Sequence, residues 1–229
     1  MTTLLIATRN AHKVGEIQAI LGAHFRCLTL KDFPGAPAVV EDADTFAGNA
    51  TKKAVELAKW LAVKHSTFNI QHSTPNFVLA DDSGLEVDAL NGAPGVHSAR
   101  FAALDKSENS HDADNNAKLL RLLKDVLLEK RTARFHCVIA LASVAGGANV
   151  PASRLVSNLA PPVIFDGACE GRILFSASGQ GGFGYDPLFV PDGFKQSFAE
   201  LGEDVKNQLS HRAKALAKLK KFFNNKETK

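Results

Sequence analysis

Two adjacent carboxylates, Asp81 and Asp82, follow the apolar run Phe77-Val78-Leu79-Ala80 and precede Ser83-Gly84. Neighbouring acids repel each other and stay ionised together only beside a cation or hydrogen-bond donors. Magnesium suits such a pair, because it prefers hard oxygen ligands and commonly takes one or two carboxylates completed by phosphate oxygens. Glu41, near Asp42 and Asp44, is a second carboxylate that could share an ion with Asp82. The bland alternatives are a turn at residues 81–84 and helix capping at residues 41–44.

Thr8-Arg9-Asn10-Ala11-His12-Lys13 lies between an apolar strand candidate and a helix candidate. Backbone N–H groups at a helix N-terminus favour an anion, and Lys13 adds a full positive charge. Thr8 and Asn10 offer side-chain donors, although a capped strand-to-helix turn accounts for the same residues. The glycines of a Walker A loop are missing.

Gly179-Gln180-Gly181-Gly182-Phe183-Gly184 matches Gly-x-Gly-x-x-Gly, yet Tyr185-Asp186-Pro187 follows it. The dinucleotide fingerprint requires a helix to open there, and proline blocks one, so that assignment fails. An aromatic, glycine-rich loop remains, in which Phe183 or Tyr185 could stack on a base or pack inward. Lys206, His211 and Arg212 read alone as surface charges of the last helix.

The elements that must position these residues follow from periodicity. Leu4–Ala7 predicts a buried strand, 14–21 a helix and Phe25–Leu30 a second strand. Ala47, Ala50, Ala54, Leu57, Ala58 and Leu61 form one face of a long helix started by Asp44 or Thr45. The polar stretch 65–76 predicts a surface loop. Phe77–Ala80 predicts a strand ending on the acids, where open α/β sheets usually hold ligands, with Leu85–Leu90 as another. Residues 115–123 predict a helix, and Ala133–Ser143, Arg154–Leu159 and Ala168–Phe175 predict strands. Ser210 precedes a final helix whose apolar face is Ala213, Leu216, Leu219 and Phe223. The sum is α/β with a mixed sheet and no linker to a second independent domain.

Composition excludes several classes. The chain has 229 residues, 45% hydrophobic and 22% charged, in the ordinary range for a globular domain. Its longest early apolar run, Leu4-Leu5-Ile6-Ala7, is far short of a signal or membrane segment, so no membrane partner is expected and the default compartment is the cytoplasm. Cys27, Cys137 and Cys169 form no Cys-x-x-Cys pair and read as reduced thiols. The net charge of +3 does not imply a nucleic-acid partner. Arg212, Lys214, Lys218, Lys220, Lys221, Lys226 and Lys229 nevertheless crowd the C-terminal helix, and a nucleic-acid-binding protein using that helix is the rival from another class.

In order along the chain, Ala7-Thr8-Arg9-Asn10 with Lys13, Thr45-Phe46-x-x-Asn49-Ala50 with Lys53, Ala80-Asp81-Asp82-Ser83-Gly84-Leu85, Gly92–Arg100, Gly182–Pro187 and Ser210-His211-Arg212 resemble the inosine triphosphate pyrophosphatase family. These enzymes act on non-standard purine nucleoside triphosphates. The resemblance spans nearly the whole chain. It implies one two-lobed domain over residues 1–229, with a long mixed sheet, flanking helices and a cleft between the lobes. It further implies hydrolysis of ITP, dITP and XTP to monophosphate and pyrophosphate, a Mg2+ cofactor, and a homodimer with no stable nucleic-acid partner.

Carried over by residue, the resemblance makes Thr8, Arg9, Asn10, Ala11, His12 and Lys13 the triphosphate loop. Asp82 becomes the proton acceptor and a magnesium ligand, Glu41 the second ligand, and Ser83 a substrate contact. Phe183, Gly184, Tyr185, Asp186, Lys206, His211 and Arg212 line the base-binding end. Asn49 and Lys53, a helical turn apart, reach phosphates. Arg9 stands where many relatives have glycine, and the stretch 65–76 lengthens the loop before the catalytic strand. A pyrophosphatase for other modified nucleotides and a non-catalytic nucleotide sensor are the nearer alternatives.

Overall fold

Strand β1, Thr2–Ile6, is buried at Leu4, Leu5 and Ile6 and delivers the chain into helix α1, Ala11–Leu21. The computed structural model describes residues 1–67, 75–103, 109–144 and 160–227. Asn10 caps α1, which is why the helix begins three residues before the apolar pattern suggests. β2, Phe25–Thr29, pairs parallel with β1.

Helix α2, Phe46–Thr67, starts on Thr45, whose Oγ1 accepts from the Gly48 amide at 3.0 Å. Ala50, Ala54, Leu57, Ala58 and Leu61 are buried as expected, while Phe46 replaces Ala47 on the inner face. The helix runs through residues 65–67 of the predicted surface loop, and most of that loop lies outside the described residues.

β3 corrects an expectation. It runs unbroken over Phe77–Val87, so Asp81 and Asp82 lie inside a strand and not at its tip, and Leu85–Val87 is the same strand. A short helical turn, Asp88–Leu90, closes it. The acids still meet the edge expected for a ligand, because β1 pairs with β3 only as far as Leu79, and the last rung is the Ala7 amide donating to the Leu79 carbonyl. β3 outruns its parallel neighbour by the length that carries the carboxylates.

Helix α3, Asp112–Leu122, precedes β4, Thr132–Ser143. β5 spans Val163–Ile173, starting earlier and ending sooner than the predicted Ala168–Phe175, and the strand expected at 154–159 lies outside the described residues. β6, Phe189–Pro191, pairs antiparallel with β5. Helix α4, Phe198–Leu209, opens with a Ser197/Glu200 capping box, and α5, His211–Glu227, opens on Ser210. Ala213, Leu216, Leu219 and Phe223 are its buried face, as predicted.

Among the described residues the strands form one mixed sheet in the order β2-β1-β3-β4-β5-β6, parallel at β2-β1-β3 and antiparallel at β5-β6. The chain forms two compact units. The first comprises residues 1–82, 138–165 and 218–229; the second comprises residues 83–137 and 166–217. The second has its own core of Leu85, Val87, Leu119, Leu123, Phe135 and Phe189, among others.

Candidate active site

The first unit gathers two cations and three acids. Lys13, in the first turn of α1, donates to Asp81 Oδ1 at 2.5 Å, and the Asp81 carboxylate is wholly buried. Lys53, on the inner side of α2, donates to Glu41 Oε2 and to the Asp81 carbonyl, each at 2.7 Å. Its ammonium is also 3.9 Å from Asp82 Oδ1. Successive side chains of a strand leave opposite faces, so Asp81 and Asp82 serve different partners although adjacent in sequence. The Asp81 backbone, gripped by Lys53, ties both acids to α2.

Asp82 is strongly perturbed by its surroundings. Burial raises its carboxyl to about 6, against the opposing pull of Lys53 and Lys13, while Glu41 and Asp81 push it further up. Its Oδ2 is buried and has no hydrogen-bond partner among the described residues. A native carboxylate oxygen is rarely left so, and an ion, a water or a substrate group is the usual resolution. Among the described residues, no three of His, Cys, Asp and Glu gather to hold a metal unaided. The donor set nevertheless fits magnesium, which needs few carboxylates when phosphate oxygens complete its shell.

Asn49 has a different task from the phosphate contact expected of it. Its Oδ1 accepts from the Ala43 amide at 2.9 Å and its Nδ2 donates to the Ala43 carbonyl at 3.2 Å. This bidentate clasp holds the segment two residues after Glu41 against α2. Arg9 likewise donates Nη2 to the Ala36 carbonyl at 3.2 Å, tethering the earlier part of the same segment.

The loop 8–13 is more self-contained than an open anion cradle. Asn10 Oδ1 accepts from the amides of His12 and Lys13, and Thr8 Oγ1 accepts from the Asn10 amide. Ala11 is exposed at the start of α1, and Arg9 and Lys13 carry the loop's positive charge.

The second unit gathers the remaining predicted residues, and the surface assignment of Lys206, His211 and Arg212 is overturned. All three are buried, at 3%, 4% and 1% exposure. Lys206 Nζ donates to Asp186 Oδ2 at 2.5 Å, and the same oxygen accepts from the Phe183 amide at 2.8 Å. The ammonium also lies 4.3 Å from the centre of the Phe183 ring, a cation–π contact. Arg212 Nη2 donates to Ser83 Oγ at 2.8 Å, and His211 stacks on Phe135 at 4.9 Å between ring centres. A side chain on Gly167 would strike the backbone of His211 and Ala215, so this glycine lets β5 and the start of α5 approach closely.

Of the two aromatic candidates Phe183 is half-buried and Tyr185 is buried. Tyr185 is a core residue, 4% exposed, and its hydroxyl donates to the Ser98 carbonyl at 2.9 Å. Burial holds its phenol well above the ordinary range, so it remains a neutral donor. Ser98 belongs to the motif 92–100 and also receives the Leu85 amide, which gives that motif a positioning role.

Sequence reasoning missed Asp112 and Asn116. Asp112 Oδ2 accepts from the Gly184 amide at 2.6 Å, and Asn116 Nδ2 donates to the Gly184 carbonyl at 3.0 Å. Their spacing of four on one helix was the available signal. The crowded C-terminal cations are partly engaged in the fold: Lys214 donates to the Ala168 carbonyl and Lys220 to the Ile20 carbonyl.

Comparison with known proteins agrees with this architecture. Residues 4–222 match the model of the Ham1 family. The chain is 45% identical over 222 residues to a dITP/XTP pyrophosphatase of Desulforamulus reducens, covering 96% of this chain and 95% of that one. It is 46% identical over 221 residues to a dITP/XTP pyrophosphatase of Geobacter sulfurreducens, covering 96% of each. Among solved structures, a HAM1 protein from Coxiella burnetii superposes with a TM-score of 0.75 at 33% identity, over 98% of this chain and 100% of that one. The Staphylococcus aureus Ham1 protein gives 0.73 at 32%, with the same coverage. The chain belongs to the Ham1 family.

Proposed function

We propose that this protein hydrolyses non-standard purine nucleoside triphosphates, dITP, ITP and XTP among them, to the monophosphate and pyrophosphate, and so clears them from the nucleotide pool. The observation that carries the proposal is the buried Oδ2 of Asp82, without a hydrogen-bond partner among the described residues, beside the cations Lys53 and Lys13. The names of the relatives supply the substrate class.

In this reading Asp82 accepts the proton of the attacking water. In the metal-free protein burial raises this carboxyl to about 6, so it is still mostly ionised at neutral pH. Lys13 and Lys53 bind phosphate oxygens and offset the charge that grows on the departing pyrophosphate. Asp81 keeps Lys13 in place, and Asn49 and Arg9 hold the segment bearing Glu41. Mg2+, held by Asp82 and Glu41, would neutralise the polyphosphate and polarise its phosphorus centres.

Base selection falls to Phe183, Asp186, Lys206 and Arg212, with Ser83 oriented by Arg212. Hypoxanthine and xanthine present a 6-keto acceptor, whereas adenine presents a 6-amino donor. Buried cationic donors left facing a donor are penalised strongly, so ATP is refused. The peptide bond between Asp82 and Ser83 joins the catalytic acid directly to the first of these base-end residues. The reading also takes the enzyme to be a homodimer, which rests on the resemblance, and to work in the cytoplasm, the default compartment expected from the sequence.

The test is pyrophosphate release from dITP, ITP, XTP, ATP and GTP, each with and without magnesium. Rapid magnesium-dependent release from the first three and little from ATP is expected. Equal rates on ATP and ITP contradict the selectivity, and no release from any substrate contradicts the activity.

A further inference from the structure

Gly184 sits at the centre of the aromatic turn with φ +63°, a left-handed conformation, and both of its backbone polar groups are held from α3. The Asp112 carboxylate takes the N–H and the Asn116 amide takes the C=O, from positions four apart on one helical face. Gly182, at φ +74°, packs so closely on Asp186 that any side chain would collide with that carboxylate. The peptide between these glycines carries Phe183, whose amide is bonded to Asp186 and whose ring faces Lys206. Every link in this chain lies in the second unit.

We propose that Asp112 and Asn116 are positioning residues for nucleobase recognition, holding Gly184 from both sides and thereby fixing the Phe183 ring against the Lys206–Asp186 pair. The inference rests on the functional reading above and adds two residues to it that touch no substrate themselves. Without the clasp, a turn containing Gly181, Gly182 and Gly184 has many conformations open to it, and the Phe183 ring loses its fixed orientation. Asn116 Oδ1 is buried without a partner among the described residues, so a carboxylate at this position would face the Gly184 carbonyl with an uncompensated charge.

The roles separate by substrate part. Asp112→Ala should raise the KM for dITP by about ten- to a hundredfold, the factor that one lost charge-assisted hydrogen bond represents in a conformational equilibrium, and Asn116→Ala by about two- to tenfold, because its bond joins two neutral groups. The kcat at saturation should stay within about twofold, and inhibition by inorganic pyrophosphate, which lacks a base, should not weaken, since neither variant alters the phosphate-binding residues. Asp112→Asn, which keeps an acceptor oxygen, should recover most of the affinity. Asp114→Ala removes the other acid of the first turn of α3 without touching the turn, and should behave as wild type.

Hydrogen exchange supplies a readout independent of substrate: the Gly184 amide should be protected in the wild type and exposed in Asp112→Ala. Unchanged exchange at Gly184, an unchanged KM for dITP, or equal weakening of dITP and pyrophosphate each overturns the inference. Failure of the wild-type protein to cleave dITP, ITP or XTP overturns the functional reading instead, and the exchange result still decides whether α3 holds the turn.

Discussion

Lys13 and Asp81 form an ion pair at 2.5 Å in which the carboxylate has no exposed surface. The lysine that would meet phosphate is therefore oriented by an acid that cannot reach solvent. Breaking such a pair from one side takes an opposite charge away from a buried carboxylate. Lys13→Met should destabilise the protein toward the lower end of roughly 3–5 kcal/mol, because Lys13 itself keeps some exposure. The double variant Lys13→Met/Asp81→Asn should regain most of that loss. Urea unfolding midpoints of the three proteins decide it, and a wild-type midpoint for Lys13→Met would show that the pair carries no stability.

The second buried pair, Lys206–Asp186, has a further dependant in the Phe183 amide. Asp186→Leu should cost more than Lys206→Met, since it removes an acceptor shared by the buried ammonium and the Phe183 N–H. A double-mutant cycle should give a coupling above about 1 kcal/mol. Additive effects in that cycle would mean the two side chains act independently.

Asp82 makes a prediction about pH. Its folded carboxyl titrates at about 6, above the ordinary value of 3.8, so the native state binds more protons than the unfolded chain in the window between them. Stability must then fall as pH rises through that window, and the penalty is fully present above it. In metal-free protein, Asp82→Asn should raise the melting temperature at pH 7.5, with the gain shrinking as the pH approaches 4. Thermal melts of both proteins across this range test the sign. A variant less stable than wild type at pH 7.5 would show that the ionised carboxylate is welcome where it lies.

Release of pyrophosphate by the proposed reaction has water attack the α-phosphorus, and that fixes where solvent oxygen ends up. Hydrolysis of dITP in 18O-labelled water should place the label in the monophosphate and leave the released pyrophosphate unlabelled. Label in pyrophosphate would move the attack to the β-phosphorus and would require another arrangement of Lys13 and Lys53.

Much of this site is legible in residue types and spacing. The inner face of α2, the cap at Thr45 and the buried face of α5 follow from a 3.6-residue repeat. The rejection of a dinucleotide loop at 179–184 follows from the proline at 187, and the structure continues there into turns and β6. What failed depended on partners distant in sequence. Asp81-Asp82-Ser83-Gly84 has the composition of a turn, but its neighbours in the sheet hold it extended, so local preference was overridden by pairing. Lys206 and Arg212 read as surface charges because their partners, Asp186 and Ser83, lie 20 and 129 residues away. Tyr185 could stack on a base or pack inward as far as its sequence shows, and its bond to Ser98, 87 residues away, makes it part of the core. Asn49 reads as a phosphate ligand until its two bonds to Ala43 are seen.

Asp82 is the group proposed to activate water, and the most direct test of that role is the turnover of dITP by Asp82→Asn beside the wild-type protein at saturating substrate and magnesium. The amide keeps the size of the side chain and removes its basicity, so kcat should fall by about 10²-fold or more while the protein stays folded. Turnover within a few-fold of wild type would contradict the assignment.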